Sequence, residues 1–273
     1  MQKVVRKILR AVADRDPDYY DMFADPNEAW FARLYVERIV QHAEAALIRA
    51  PASLLEAGCQ AGRLVVPLAK LGFRVTGIDT SGFALRRARE HAREAGVDAA
   101  FVQGDLLKVL QRHPERQFDV VVCAEVVYLS PRSREMLEAL ASAVRPGGLL
   151  CVSHRPKFYY LLEALRQYDL ASAAEVLRKS EGPFRDSRYY NWQTEEELRA
   201  LYRSLGLEWV AMHPIDRLAW LGGMNLAQLT NEQRDEWLRL ELALPSEAAG
   251  MCARYVLVVA AQPGHERGSS EGL

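Results

Sequence analysis

Short apolar runs alternate with helix-like segments between residues 53 and 153. Phe118–Cys123 is apolar at nearly every position, a pattern typical of strands that are covered on both faces of a sheet. The intervening segments carry helix signals, such as Ser81 as an N-cap and Gly96 as a C-terminal stop. Five strands are predicted here, at residues 53–57, 74–79, 99–102, 118–123 and 149–153. The alternation predicts an α/β fold with a doubly wound, mostly parallel sheet.

The pattern is less regular on both sides of this region. Apolar positions in residues 30–49 follow a helical period, and we predict an N-terminal helical cap over residues 1–50. A main domain is predicted over residues 51–261, with lid insertions near 157–192 and 216–250, and a disordered tail over 262–273. Its later elements are a helix at 157–179, an aromatic loop at 188–192, helices after the capping boxes of Thr194 and Thr230, and strands at 207–215 and 254–261.

The composition narrows the class of protein. The chain has 273 residues, 49% of them hydrophobic, and its net charge is −1. This balance provides no basic surface to attract nucleic acid or an anionic membrane. No run of 18 apolar residues occurs, and the first ten residues are too charged for a signal peptide. Four cysteines form no CxxC pair, which predicts buried thiols and no metal site. We therefore expect a cytoplasmic monomer or homodimer without nucleic-acid or membrane partners.

Polar residues follow four of the predicted strands. The first strand runs through Glu56 into the motif LLEAGCQAGR, whose loop contains Gly58, Gln60 and Gly62. The carboxyl ends of parallel strands meet at one edge of a sheet, where ligands bind. We therefore expect these groups to share a crevice with the three acids that follow the next strands, which are Asp79, Asp105 and Glu125.

The loop and the acids decide between two classes of cofactor. A dinucleotide site requires GxGxxG, so that the pyrophosphate can approach a helix N-terminus. Gln60 breaks that pattern, and carboxylates suit an amino group, ribose hydroxyls and an adenine amine better than a phosphate. The residues therefore predict S-adenosylmethionine. Should position 60 need a positive φ, glutamine would cost on the order of 1 kcal/mol there, and we expect its amide to reach the methionine carboxylate.

Over residues 50–155 the chain resembles the class I S-adenosylmethionine-dependent methyltransferases. LLEAGCQAGR is similar to the first motif of that family, VTGIDTS to the second, VQGDLL to the adenine-contacting segment, and FDVVVCAEVVYL to the fourth-strand motif. The resemblance implies a seven-stranded sheet with an antiparallel last strand at 254–261. It also implies close backbone approach at Gly58 and Gly62, with Glu56 toward the amino group, Asp79 on the ribose and Asp105 on the adenine. The predicted cofactor-binding residues are Glu56, Gly58, Gln60, Gly62, Asp79, Thr80, Asp105, Leu106 and Ala124.

A second, more local resemblance concerns one branch of this family. NWQTEEEL, residues 191–198, is similar to a segment of the ubiquinone-biosynthesis O-methyltransferases. Those enzymes often carry a Glu-His pair after the fourth strand, where this chain has Val127, Tyr128 and Leu129. The acceptor of that branch is therefore not transferred to this chain.

These patterns predict SN2 methyl transfer to an oxygen or nitrogen of a small molecule, with an aromatic acceptor as one option. Glu125 and His154 are the candidate catalytic residues, His154 either as a base for a hydroxyl or as a structural histidine. The candidate substrate residues are Tyr19, Tyr20, Tyr128, Arg155, Tyr190 and Trp192. The aromatic residues between 158 and 192 form either a lid over the acceptor or a small core. Two other functions stay open: a non-catalytic sensor or scaffold that binds S-adenosylmethionine or S-adenosylhomocysteine, and an NAD-dependent oxidoreductase.

Overall fold

The computed structural model describes residues 21–23, 25–185, 188–244 and 252–264. The predicted substrate residues Tyr19 and Tyr20 and most of the predicted tail lie outside these residues. The strands are Ser53–Ala57 (β1), Arg74–Asp79 (β2), Ala100–Gln103 (β3), Phe118–Cys123 (β4), Val144–His154 (β5), Glu181–Phe184 (β6), Arg188–Asn191 (β7), Glu208–Ile215 (β8) and Tyr255–Ala261 (β9).

Helices flank the strands throughout the described part of the chain. They are Pro26–Ala45 (α1), Val65–Lys70 (α2), Gly82–Glu94 (α3), Leu106–Arg112 (α4), Ser133–Ser142 (α5), Lys157–Arg166 (α6), Leu170–Arg178 (α7), Glu195–Ser204 (α8), Leu218–Gly222 (α9) and Asn231–Ala243 (α10). None of the helices in the described ranges is long and apolar enough to cross a membrane.

Seven strands form one sheet in the order β3-β2-β1-β4-β5-β9-β8. Strands β1 to β5 pair in parallel, and β9 runs antiparallel to both neighbours. This confirms the predicted α/β fold with an antiparallel last strand. The strand order reverses between β1 and β4, and a crevice for a ligand forms at such a reversal. The candidate site is therefore expected beyond the carboxyl ends of β1 and β4.

The sheet is covered on both faces because side chains alternate along each strand. Leu54 of β1 packs in one core with Leu34 and Tyr35 of α1. The next residue, Leu55, packs in the opposite core with Leu137 of α5 and with side chains of α8. Helix α1 is thus part of the main core.

Several predicted boundaries differ from the structure. The helix predicted over 157–179 is two helices, α6 and α7, which are separated at Tyr168 with a φ of 57°. Asp169 caps the second by accepting a hydrogen bond from the Ser172 backbone at 3.0 Å. The predicted aromatic loop at 188–192 is strand β7 over most of its length, paired with β6 in a two-stranded sheet. Within the predicted tail, Gln262 pairs with the Gly147 and Gly148 backbone.

Helix α4 was not predicted, and α5 begins later than expected. Asp105 is the N-cap of α4 and accepts a hydrogen bond from the Lys108 backbone at 3.1 Å. The dipeptide Ser130-Pro131 is a sequence signal for a helix start and predicts that α5 begins there, but this prediction is wrong. A short 3-10 turn at Val127–Leu129 uses this part of the chain, and α5 starts at Ser133. Both predicted capping boxes, at Thr194 and Thr230, are confirmed.

Candidate functional site

The loop after β1 depends on two glycines with left-handed backbones. Gly58 has a φ of 79° and Gly62 a φ of 85°. A Cβ on Gly58 would lie 2.3 Å from Cγ2 of Val126, which is too close for any side chain. Val126 follows β4, so the loops after β1 and β4 are in direct contact. Gly58 therefore lets the two sides of the strand-order reversal close against each other.

Gln60 lies between these glycines and also has a left-handed backbone, with a φ of 44°. This conformation costs a non-glycine residue roughly 1–2 kcal/mol. The Gln60 backbone N–H donates to Oδ2 of Asp79 at 2.8 Å, and its side-chain Oε1 accepts from the Met22 backbone N–H at 3.4 Å. Gln60 thus keeps the backbone shape that a glycine would adopt and also contacts the segment before α1.

Asp79 joins the loop after β1 to the end of β2. Its second oxygen, Oδ1, accepts a hydrogen bond from the Ser81 backbone at 2.8 Å. An ionised carboxylate oxygen can accept more than one hydrogen bond. The two backbone donors therefore fix the orientation of Asp79 and leave acceptor capacity for the ribose hydroxyls that the sequence assigns to it.

Glu56 is a buried carboxylate at the end of β1, with only 3% of its surface exposed. Its Oε2 has no hydrogen-bond partner among the described residues. Burial raises the pKa of Glu56 to about 8, with Asp79 adding to the rise and Arg63 opposing it. An unpartnered carboxylate oxygen is costly inside a protein unless a cation or donor meets it. This oxygen fits the amino group of S-adenosylmethionine, which is a cation that also donates hydrogen bonds.

Arg63, the last residue of LLEAGCQAGR, lies between two acids. Its guanidinium contacts Glu28 of α1 at 2.5 Å and Glu125 after β4 at 2.8 Å, and all three side chains are nearly enclosed. Sequence reasoning missed Arg63 and Glu28 as site residues. The sequence does contain a signal for Arg63, since this arginine stands at the start of an otherwise apolar helical segment. A charge that becomes buried there needs an oppositely charged partner. No comparable signal marks Glu28.

Glu125, a candidate catalytic residue, has a left-handed backbone with a φ of 60°. Its backbone N–H donates to Oγ of Ser153 at 2.6 Å, which ties the end of β4 to β5. Burial acts to raise the pKa of Glu125, but the charge and hydrogen bond of Arg63 outweigh it and the pKa is lowered. Glu125 is therefore an ion-paired carboxylate that holds Arg63.

The other predicted cofactor residues lie along the same edge of the sheet. Asp105 is exposed after β3, and its capping bond leaves one carboxylate oxygen available to a ligand. The Thr80 carbonyl accepts a hydrogen bond from the Gln103 side chain at 3.2 Å, which links the ends of β2 and β3. Leu106 and Ala124 are both buried. The hydrogen bonds thus join the ends of β1, β2 and β3, while the Gly58 contact adds β4.

His154, the second candidate catalytic residue, is the last residue of β5, but its side chain is buried against α8 instead of facing the open end of the sheet. Its side chain is 1% exposed, and its Nε2 is 2.9 Å from the Tyr202 hydroxyl of α8. Burial lowers the pKa of His154 to about 3, so the ring is neutral at ordinary pH. A base with so low a pKa gains little by taking a proton from a hydroxyl. The geometry supports the structural alternative.

A pocket of about 450 Å³ opens beside the end of β5. Its lining includes two predicted substrate residues, Arg155 and Tyr190, together with Tyr159 and Tyr160. Tyr128, a third predicted substrate residue, is buried beneath Arg155. The guanidinium carbon of Arg155 lies 4.9 Å from the centre of the Tyr128 ring. Tyr128 is two residues beyond Val126, which contacts Gly58. The pocket and the glycine loop are therefore connected through the segment that follows β4.

Trp192 is enclosed in a small core and is not part of the pocket lining. It is 1% exposed and packs with Tyr160 and Val176. Its indole N–H is directed at two backbone carbonyls, of Lys179 at 2.8 Å and of Val176 at 3.2 Å. Of the two alternatives for the aromatic residues, a small core rather than a lid describes Trp192. Its indole N–H is already hydrogen-bonded within the protein and does not need a ligand.

Known proteins resemble this chain in sequence and in structure. The profile of a family described as "Methyltransferase domain" matches residues 54–148. The ubiquinone biosynthesis O-methyltransferase of Serratia proteamaculans is 38% identical over 96 residues, which are 35% of this chain and 39% of that protein. The enzyme of the same name from Erwinia tasmaniensis is 30% identical over 172 residues, 61% of this chain and 68% of that protein.

A solved structure supports the fold. Magnesium protoporphyrin IX methyltransferase from Synechocystis PCC 6803, crystallised with bound SAH, superposes with a TM-score of 0.56 over 86% of this chain and 84% of that chain. The two sequences are 17% identical, so this likeness shows a common fold. The chain spans about two fifths of the Serratia relative and two thirds of the Erwinia relative.

Proposed function

Because the chain belongs to the class I S-adenosylmethionine-dependent methyltransferases, we propose that it transfers a methyl group from S-adenosylmethionine to an oxygen or nitrogen of a small molecule. One observation carries the proposal most strongly. The unpartnered oxygen of buried Glu56 lies at the end of β1, next to a glycine loop that is hydrogen-bonded to Asp79. The groups proposed to bind the amino group and the ribose of the cofactor thus lie at the ends of the adjacent strands β1 and β2.

Different residues of this chain would bind different groups of the cofactor. Glu56 would receive the amino group, Asp79 the ribose hydroxyls and Asp105 the adenine, while Gly58 and Gly62 allow close approach of the backbone. When bound, S-adenosylmethionine supplies a methyl group on a positively charged sulfur. An acceptor oxygen or nitrogen displaces that sulfur in one SN2 step, S-adenosylhomocysteine leaves, and the proton of the acceptor passes to water.

The acceptor site is proposed to be the pocket beside Arg155 and Tyr190. Neither candidate catalytic residue is suited to take a proton from the acceptor. The pKa of His154 is lowered to about 3 by burial, and Glu125 is held by Arg63. Rate acceleration is therefore proposed to rest on holding donor and acceptor in line in a pocket walled by tyrosines. Glu125 acts as a positioning residue, through Arg63.

The test is turnover on a panel of phenols and amines. Purified protein is incubated with S-adenosylmethionine and each acceptor, and both the methylated product and S-adenosylhomocysteine are quantified by mass spectrometry. We expect equal amounts of the two products with at least one acceptor, and none without protein.

Binding and melting-temperature measurements, made beside the turnover assay, separate the other two functions. Binding of S-adenosylmethionine without turnover on any acceptor favours a sensor or scaffold. A rise in melting temperature with NAD, and none with S-adenosylhomocysteine, favours an oxidoreductase and contradicts methyl transfer.

A further inference from the structure

Arg155 is enclosed by aromatic rings at the wall of the acceptor pocket. Its guanidinium carbon lies 4.9 Å from the ring centre of Tyr128, 4.4 Å from that of Tyr159 and 4.5 Å from that of Tyr255. One guanidinium nitrogen donates to the Tyr255 hydroxyl at 2.5 Å. Its Nε is buried and has no hydrogen-bond partner within the part of the chain that the structure describes. The rings hold the guanidinium plane in place but do not neutralise its charge.

Arg155 forms no ion pair within 4.0 Å with any carboxylate of the described residues, in contrast to Arg63. Its positive charge contributes to the lowered pKa of Glu125, although burial and Arg63 affect that pKa more. Glu125 is nevertheless the ion-pair partner of Arg63, because its Oε1 accepts a hydrogen bond from Arg63 at 2.8 Å. A half-buried arginine without an ion-pair partner is stabilised when an anion meets it.

The other charged groups of the pocket leave this positive charge uncompensated. Glu163, the acid in the lining, is 2.8 Å from Arg166 and also accepts a hydrogen bond from the indole of Trp220 at 3.2 Å. Arg185, also in the lining, is exposed and adds a second positive charge. The pocket therefore combines aromatic walls with net positive charge.

We infer that the methyl acceptor carries a carboxylate, and that Arg155 binds it while the tyrosine walls pack against the body of the acceptor. This inference rests on the proposed function, because it names the substrate class of the same site. A planar guanidinium with several N–H donors matches a carboxylate geometrically, and Arg155 lines the pocket. A carboxylate is inferred rather than a phosphate, because Arg155 is held among the aromatic rings, whereas Arg185, the other cation of the described lining, is exposed to solvent.

The test compares carboxylates with their uncharged amides on protein saturated with S-adenosylhomocysteine. The pairs are benzoate and benzamide, 4-hydroxybenzoate and 4-hydroxybenzamide, and 3,4-dihydroxybenzoate and its amide. By calorimetry, at least one carboxylate is expected to bind about tenfold or more tighter than its amide. This is the size of effect that a hydrogen bond to a charged group gives. In R155Q the affinities for that carboxylate and its amide should differ by about twofold or less, and in R155K the ratio of the two affinities should be intermediate.

The matched control is R112Q, which removes an exposed arginine of α4 and should leave the ratio unchanged. A melting temperature of R155Q close to that of the unchanged protein shows that the variant is folded, and its affinity for S-adenosylhomocysteine is expected to stay unchanged. Weaker binding of S-adenosylhomocysteine by folded R155Q would place Arg155 on the cofactor and overturn the inference. Phenyl phosphate binding tighter than every carboxylate, or no preference for any carboxylate in the unchanged protein, would also overturn it. Failure of S-adenosylhomocysteine to bind at all would instead overturn the proposed function.

Discussion

Glu56 is the residue whose chemistry depends most on the cofactor. Its carboxylate is enclosed at the end of β1, and one oxygen has no partner among the described residues. Burial raises its pKa to about 8, so it is protonated near neutral pH. A bound amino group would favour the ionised form, because an opposite charge lowers the pKa of an acid. Cofactor binding and ionisation of Glu56 are therefore linked.

This linkage predicts that affinity for S-adenosylhomocysteine rises with pH. Between pH 6 and 7.5 the free protein must lose a proton from Glu56 before the ion pair forms, so affinity should rise by up to about tenfold per pH unit. E56Q should bind more weakly and show little of this dependence. Calorimetric titrations across that range measure both effects.

The stability of the protein without cofactor should change in the opposite direction. A raised folded-state pKa gives stability that is present below the unfolded value of 4.5 and is lost as the pH rises toward 8. The melting temperature should therefore fall more between pH 5 and 8 than in E56Q. E94Q, which changes an exposed glutamate of α3, is the matched control and should follow the unchanged protein.

Two other site residues carry backbone strain. Gln60 and Glu125 are non-glycine residues with left-handed backbones, at φ values of 44° and 60°. Each conformation is held from outside, since Asp79 accepts the Gln60 N–H and Ser153 accepts the Glu125 N–H. Strain of this kind persists where surrounding contacts fix it, and it clusters at functional sites. The departure from a third glycine therefore leaves the shape of the loop intact.

At the scale of elements, the β6–β7 hairpin and helices α6 and α7 form a small core of their own. Trp192, directly after β7, contacts Tyr160 of α6 and Val176 of α7. The ring centre of Tyr160 lies 4.9 Å from that of Phe184, 5.4 Å from that of Tyr190 and 5.1 Å from that of Trp192. The aromatic segment thus supports the pocket that is proposed to bind the acceptor.

W192A is expected to lower the free energy of unfolding by about 3–5 kcal/mol, because it leaves a cavity in this core. Its affinity for S-adenosylhomocysteine should stay unchanged. Urea denaturation measures the first quantity and calorimetry the second. Y168A removes an aromatic side chain that is 91% exposed and should have little effect on either. A stable W192A that has lost only acceptor binding would show instead that Trp192 contacts the acceptor.

The sequence predicted elements well where one pattern sufficed. The bounds of β1, β2 and β4 match their predictions because short apolar runs ended by polar residues define buried strands. The split between α6 and α7 was missed, because Tyr168 adopts a left-handed φ without a glycine or proline to mark it. Strand β6 was missed since its Gly-Pro dipeptide is a turn signal.

At the scale of the whole molecule, the site draws on residues that are far apart in the sequence. Arg63 joins Glu28 of α1 to Glu125 beyond β4, and Arg155 is stacked on Tyr255 of the last strand. Strand-end acids could be predicted because topology alone places them at one edge of the sheet. The partners of Arg63 and Arg155 could not be predicted, because helix packing and strand order bring them together and neither leaves a local pattern.

The most direct measurement is a calorimetric titration of the purified protein with S-adenosylhomocysteine at pH 7.5. We predict one binding site per chain. D79N should weaken binding roughly tenfold or more, as expected when a charged hydrogen-bond acceptor is lost. D98N, which changes an exposed aspartate before β3, should bind like the unchanged protein. Absence of binding by either S-adenosylhomocysteine or S-adenosylmethionine, or equal affinity in D79N and D98N, would contradict the assignment of this crevice to the cofactor.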